Sequence, residues 1–211
     1  MTFTQKLVTV VTATWGRPKT IFEHAIPSVD AQDYPDVEHL IVTDGRDPDL
    51  EAALGNAGYS HGGTRRRLVS LGRNWTGFSG DGGIGAVPRL VGSWMAAGEY
   101  VTYLDDDNDY LPGHLSSLAG ALSETGADIA FCAWRDGPGG PVQGSPVPGP
   151  GTVDTSSFMH RAGVLRHGSW QLDGYGGDHL LVERWVNAGV TYTWVPEPTM
   201  ILNDHRRGAP D

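Results

Sequence analysis

Tyr100-Val101-Thr102-Tyr103-Leu104-Asp105-Asp106-Asp107-Asn108 is the stretch that decides how this chain is read. Its first five residues are aromatic, β-branched or apolar and predict a strand over 100–104. That strand ends in three adjacent carboxylates. Like charges at this spacing repel, which costs stability unless a cation or water screens them. Alternate residues of a strand end point the same way, so Asp105 and Asp107 can share one face. Hard oxygen ligands of this sort select Mg²⁺ or Mn²⁺. The plain structural alternative is an acidic turn, helped by Asn108 and Asp109.

Upstream, Val87, Leu90, Val91, Trp94 and Met95 follow one helical stripe. Arg89 falls opposite that stripe and is expected in solvent or facing a cleft. The glycine-rich run 77–85 before this helix contains Gly80-Asp81-Gly82-Gly83-Ile84-Gly85, a literal dinucleotide fingerprint. No convincing strand precedes it, so it reads as loop shaping only. Further back, 7–13 and 37–43 read as strands, the second closed by Asp44-Gly45, and 67–71 as a short third. Pro18 opens a helix over 20–29, interrupted at Pro27.

Downstream, a helix is expected from Pro112 to about Glu124, a strand over 128–134 and a mobile Gly/Pro-rich loop over 136–151. Then come an extended segment (152–160), a helix (178–188), a strand (190–195) and an irregular tail from Pro196. Strands alternating with helices imply an α/β fold, a largely parallel sheet with helices on both faces. Ligands of such sheets bind beyond the carboxyl ends of the strands, where Asp44 and Asp105–Asp107 lie.

The 211 residues and 39% apolar content suit one domain with a real core. The formal charge of −10 is a poor match for nucleic-acid phosphates. A single cysteine, Cys132, cannot form an internal disulfide and reads as a core residue. The opening residues show no charged or long apolar leader, and no segment reaches membrane-span length, so a soluble cytoplasmic protein is expected. Asn74-Trp75-Thr76 matches a glycosylation acceptor by coincidence on that reading.

Two more residues carry possible chemistry. Asp178 follows Gly176-Gly177 at a helix start whose Leu181, Trp185 and Ala188 share a face. As an N-cap it would accept free amides. As a general base it would be kept ionised by the helix amino end. No Glu or Gln stands three residues later, so there is no capping box. His205 lies in the tail Asn203-Asp204-His205-Arg206-Arg207 and by itself reads as a surface histidine. Arg65-Arg66-Arg67 reads as a solvated charge run without a role.

The order of motifs resembles the family-two, GT-A fold glycosyltransferases. Val10-Val11-Thr12-Ala13-Thr14-Trp15-Gly16-Arg17-Pro18 is similar to the family's first strand and Thr-x-x-Arg-Pro loop. Leu40-Ile41-Val42-Thr43-Asp44-Gly45 is similar to its second strand. Arg89, then Ala96-Ala97-Gly98-Glu99-Tyr100 and Asp105-Asp106-Asp107, resembles its Arg, Ala-x-Gly-Glu-Tyr and Asp-x-Asp sequence. Gly177-Asp178-His179 with Arg184 and Gly189 resembles the helix bearing the catalytic carboxylate, with Gly177 where the family usually has Glu.

The resemblance implies a single GT-A domain, with a nucleotide-binding half at 6–107 and an acceptor-binding half at 108–211. It implies a nucleotide-diphosphate sugar donor, a UDP-sugar favoured, and a divalent cofactor, Mn²⁺ or Mg²⁺. Thr14, Arg17 and Asp44 would contact the nucleotide. Arg89, Asp105 and Asp106 would approach the ribose or diphosphate. Asp107 would ligate the metal with His205 from the tail, and Asp178 would deprotonate the acceptor hydroxyl, inverting the anomeric centre. A sugar nucleotidyltransferase is the rival enzyme, although Trp15-Gly16-Arg17-Pro18 is too short and glycine-poor for its usual loop. A non-catalytic nucleotide-sugar-binding protein is the rival from another class.

Overall fold

The computed structural model describes residues 6–54, 59–61, 64–75, 85–172 and 176–203. Among the described residues, ten strands form one sheet. In chain order the elements are β1 (Val8–Thr14), α1 (Pro18–Glu23), α2 (Ala25–Asp30), β2 (Val37–Thr43), α3 (Pro48–Leu54), β3 (Tyr59–His61) and β4 (Thr64–Ser70). These are followed by α4 (Ala86–Met95), β5 (Tyr100–Tyr103), β6 (Asp109–Tyr110), α5 (His114–Thr125), β7 (Ile129–Asp136), β8 (Val142–Gln143), β9 (Phe158–Arg161), α6 (Gly177–Asn187) and β10 (Tyr192–Leu202). Short 3₁₀ turns at Thr155–Ser157 and Ala162–His167 flank β9.

The sheet runs β3-β4-β2-β1-β5-β9-β7-β10-β6, with β8 on β7. The ladders β4-β2-β1-β5 and β7-β10 are parallel, and the shorter ones are antiparallel. Period-two alternation splits the buried side chains between two cores. Val8, Val10, Ala130 and Cys132 meet the helices α1, α2, α3 and α5 on one face. Val11, Val101, Tyr103, Ile129 and Phe131 meet α6 and Trp170 on the other. From β1 the chain builds outward through β2 and β4, then returns with β5 to the other side of β1. The reversal opens a crevice between the carboxyl ends of β1 and β5.

Several expectations need correction. The helix over 20–29 is two short helices broken at His24. The short third strand is the full-length β4, beginning at Thr64. The loop 136–151 is in part a hairpin, because β8 pairs with β7 through Trp134 and Arg135. The tail is regular as far as Leu202, held between β7 and β6. Prolines 196 and 198 hid this strand; register shifts on either side of Pro198 accommodate them.

The stripe on α4 packs only in part, with Leu90 against the second core. The buried residues of α4 are Ala86, Pro88, Gly92 and Ser93, while Trp94 is 62% exposed. The cause is close approach to β1: a Cβ on Gly92 would lie 2.3 Å from Val11 Cγ1. A helix that presses this tightly on the sheet must face it with small residues.

The run Arg65–Arg67 is solvated only in part. On a strand it divides between faces, and Arg66 is 2% exposed. Arg66 donates to Asp30 Oδ1 at 2.6 Å, Arg67 to Glu38 Oε1 at 2.7 Å and Arg65 to Asp36 Oδ1 at 2.9 Å. Cys132 is buried as expected, which pushes its thiol up to about 12.

Candidate functional site

The crevice between β1 and β5 is a cleft of about 340 Å³. Ala13, Thr14, Trp15, Arg17, Asp44, Gly85, Pro88, Arg89 and Asp105–Asp107 line it. Seven of the sequence-predicted residues therefore share one wall system: Thr14 and Arg17 after β1, Asp44 after β2, Arg89 on α4, and Asp105, Asp106 and Asp107 after β5.

Each is held by a local rule. Thr14 ends β1 and donates its hydroxyl to Asp106 Oδ2 at 2.6 Å. Arg17 stands immediately before α1, whose first residue is Pro18. Its guanidinium pairs with Asp106 and also reaches Asp107 Oδ2 at 3.1 Å. Burial alone would lower the Arg17 pKa, but Asp106 and Asp107 outweigh it and raise it. Burial is likewise the leading cause that raises Asp106 above the usual carboxylate range, partly offset by Arg17 and Thr14. Asp44 is buried and accepts from the Trp75 amide at 2.7 Å. The Trp15 indole lies 60% exposed at the cleft.

Arg89 is turned into the cleft, the second of its two expected positions, and pairs with Asp105. Gly85 makes room for it. Gly85 has φ +73, and a Cβ there would meet Arg89 Nη1 at 2.8 Å. Behind Arg89, Trp170 packs with its ring centroid 5.2 Å from the guanidinium carbon.

The acidic turn is braced by residues far away in sequence. Ser156 Oγ accepts from the Asp105 amide and from Asn108 Nδ2, each at 3.1 Å. Asn203, just past β10, donates its side-chain amide to Asp107 O at 3.0 Å and to Asp109 Oδ2 at 2.6 Å. Its backbone amide donates to Asn108 Oδ1 at 2.9 Å. Asp106 and Asp107 lie in this turn rather than in β5. Turn geometry, not strand alternation, therefore sets which way the carboxylates point.

Asp178 lies in the first turn of α6 but is not its cap. Gly176 is the N-cap, and Asp178 Oδ1 accepts from the next amide, His179 N, at 2.7 Å. The helix end favours the charged form as expected, through the His179 amide, but burial outweighs it. Burial raises the Asp178 pKa, with Asp105 adding to the rise and Arg89 opposing it.

Sequence reading missed Asp154. It caps the 3₁₀ turn before β9, its Oδ1 accepting from Ser156 N at 2.8 Å. Burial, then Asp105 and Asp178, push its carboxyl up to about 7. The pattern Asp154-Thr155-Ser156-Ser157 signals a cap, but nothing in it signals proximity to Asp105. His205 lies outside the described residues.

Among the described residues, no group of three or more His, Cys, Asp or Glu side chains is placed to hold a metal ion. A divalent ion can also be held by one or two carboxylates and completed by substrate phosphates and water. The donor set at Asp105–Asp107 fits such an ion and would not form an all-protein cage.

Among known proteins, residues 9–173 match the family model described as "Glycosyl transferase family 2". A curated relative is the GalNAc(5)-diNAcBac-PP-undecaprenol beta-1,3-glucosyltransferase of Campylobacter jejuni, 29% identical over 123 residues. That match covers 58% of this chain and 36% of the relative, so the chain spans about a third of it. Among solved structures, Staphylococcus aureus TarS 1-349 in complex with UDP superposes with TM-score 0.72 at 19% identity, covering 93% of this chain and 60% of that one. The mannosyltransferase PcManGT from Pyrobaculum calidifontis, in complex with GDP-Man and Mn²⁺, gives TM-score 0.74 at 17% identity, covering 98% and 59%. These two likenesses establish the GT-A fold. No helix among the described residues is long and apolar enough to cross a membrane.

Proposed function

We propose, from the premise that this chain belongs to glycosyl transferase family 2, that it moves a sugar from a nucleotide-diphosphate donor to an acceptor hydroxyl with the help of a divalent cation. The observation that carries this reading is the cleft itself. Seven residues from four separate segments line it together, three of them forming the acidic turn. The reading is supported by the neighbours, of which TarS is in complex with UDP and PcManGT with GDP-Man and Mn²⁺.

In this proposal Asp44 receives a base N–H and Trp15 offers a face to the base, as exposed indoles do. Thr14 and Arg17 hold the nucleotide, and Arg89, Asp105 and Asp106 approach the ribose or diphosphate. Asp107 holds the cation, with His205 as its partner. When bound, that cation would neutralise charge on the leaving diphosphate. Arg89 adds a second fixed positive charge on the same side.

Asp178 takes the proton from the attacking hydroxyl. Its raised pKa makes it a stronger base once ionised, which suits the role. A single carboxylate base acting opposite the leaving group gives inversion. The residues from 108 on supply the acceptor side.

The test is calorimetry of uridine and guanosine diphosphates with Mn²⁺ and with EDTA. Binding is expected to be much tighter with Mn²⁺, and Asp107→Ala is expected to remove the difference. Equal affinity with and without metal in the unaltered protein would overturn the metal role. Tight binding with no transfer to any acceptor or to water would leave a binding protein.

A further inference from the structure

Arg89 reaches the cleft from α4 with a side chain that is 11% exposed. Fixing a long arginine side chain costs rotamer entropy, so a guanidinium kept in one place needs contacts on more than one side. Asp105 supplies one. Trp170 supplies another. Its ring centroid lies 5.2 Å from the guanidinium carbon, within reach of a cation–π contact. Trp170 is 4% exposed, so this side of the guanidinium is shielded from water.

The backbone of Arg89 is held as well. Ser93 Oγ donates to Arg89 O at 2.6 Å and lies 2.7 Å from the Tyr103 hydroxyl. That hydroxyl lies 3.0 Å from His160 Nε2. The Tyr103 ring meets Trp170 edge to face, with centroids 5.0 Å apart. Tyr103 is on β5, two residues before Asp105. The strand that leads into the acidic turn therefore touches both supports of Arg89, Ser93 through a hydroxyl and Trp170 through a ring.

Trp170 is tied in turn to the helix that carries Asp178. Two residues before it, Gly168 O accepts from Trp185 Nε1 at 2.8 Å, and Trp185 lies on α6. Gly168 has φ +137, a backbone conformation that suits glycine.

We propose that Trp170 is a positioning residue for the donor's diphosphate. Its indole fixes the Arg89 guanidinium in the cleft, while Tyr103 and Ser93 fix the turn of α4 from which Arg89 projects. The inference rests on the donor reading given above and adds to it a buried residue behind the cleft. A diphosphate then meets a cation already in place, and less freedom is lost on binding. The same contact makes α6 part of donor binding, because α6 holds the turn that presents Trp170.

The experiment compares nucleosides with nucleoside diphosphates. Calorimetry in Mn²⁺ measures uridine and guanosine against their diphosphates. The proteins are the unaltered one, Trp170→Leu, Trp170→Phe, Arg89→Ala, and the double variant with Trp170→Leu and Arg89→Ala. The ratio of diphosphate to nucleoside affinity reads the diphosphate's share alone, which a general loss of stability does not move. In Trp170→Leu that ratio is expected to fall about threefold to thirtyfold, the range of a shielded cation–π contact. Trp170→Phe keeps an aromatic face and is expected to recover part of the loss. On top of Arg89→Ala, Trp170→Leu is expected to change the ratio no further, because the two residues act as a unit. A second arm follows the Arg89 Nε–H proton by NMR, identified by its loss in Arg89→Ala. Removing the indole ring current in Trp170→Leu is expected to move that signal.

An unchanged ratio in Trp170→Leu would overturn the proposal, whatever happens to stability. So would the same further loss on top of Arg89→Ala. If Arg89→Ala leaves the ratio unchanged, or the unaltered protein binds neither diphosphate, the donor reading of Arg89 falls separately. The NMR arm then decides the contact itself, and a signal unmoved by Trp170→Leu would show that the indole does not hold Arg89.

Discussion

Two runs of three like charges stand in this chain, and they have opposite fates. Arg65–Arg67 lies on β4, and each arginine has a carboxylate of its own: Asp36, Asp30 and Glu38. Asp105–Asp107 lies at the end of β5, where three carboxylates share two arginines, Arg17 and Arg89. Asp154 and Asp178 add to the same deficit of positive charge. A run that is neutralised pair by pair holds the structure together. A run left short of counter-charge lies at a cleft, where the proposed function places a cation. What separates the two is the local count of partners, which a run of like charges does not disclose by itself.

The largest effect expected from this contrast is at Asp178. Asp178→Asn keeps the shape and still accepts from the His179 amide, but it cannot take a proton. Turnover is expected to fall about 10²–10⁴-fold, the worth of a general base. Stability is expected to hold or rise, because a carboxylate whose charge is disfavoured by burial has been removed. Steady-state turnover and melting temperature on the same sample check both parts. Near-normal turnover would move the base elsewhere.

The same contrast explains what the sequence could and could not disclose. Val37–Thr43 and Asp44 were legible because an apolar β-branched run and a closing Asp-Gly depend only on neighbours in the chain. The cleft was legible for the same reason: its residues close strands or open helices that local patterns mark. Asp154, Ser156 and Asn203 were not, because their importance comes from β9 and the end of β10 meeting the acidic turn. Arg66 was misread since its partners, Asp30 and His39, lie on α2 and β2. The α4 stripe misled because Gly92, which scores as nothing on a helical wheel, is what sets the distance to Val11.

Arg66→Ala tests the neutralised run. Asp30 and His39 would lose the guanidinium that lies between them, in a region where Arg66 itself is 2% exposed. Breaking one partner of a buried pair costs about 3–5 kcal/mol, and the partial exposure of Asp30 puts this case near the lower end. For a chain of this size the melting temperature is expected to drop by roughly 6–12 °C. Diphosphate affinity per folded molecule should not change, because the pair lies away from the cleft. A loss of affinity without a loss of stability would mean that this run, too, serves a ligand.

The smallest effect is expected one residue away, at Arg65. Its side chain is 59% exposed and that of Asp36 is 48% exposed, so both ends of the pair remain in water. Attraction there is weak, and holding two long side chains in one geometry costs entropy. Arg65→Ala is therefore expected to cost about 0.2–1 kcal/mol, a shift of no more than roughly 2–4 °C. The remaining difference should vanish near 1 M salt, where screening acts over about 3 Å. Arg67 should fall between its neighbours, because it is half exposed while its partner Glu38 is buried and also accepts from Thr9 and the Ala97 amide. Thermal melts of the three alanine variants at low and high salt give the order directly. Burial of the pair predicts Arg66 first, Arg67 second and Arg65 last, with salt erasing only the last. A loss at Arg65 as deep as that at Arg66 would show that charge alone, and not burial of the pair, sets the worth of each arginine.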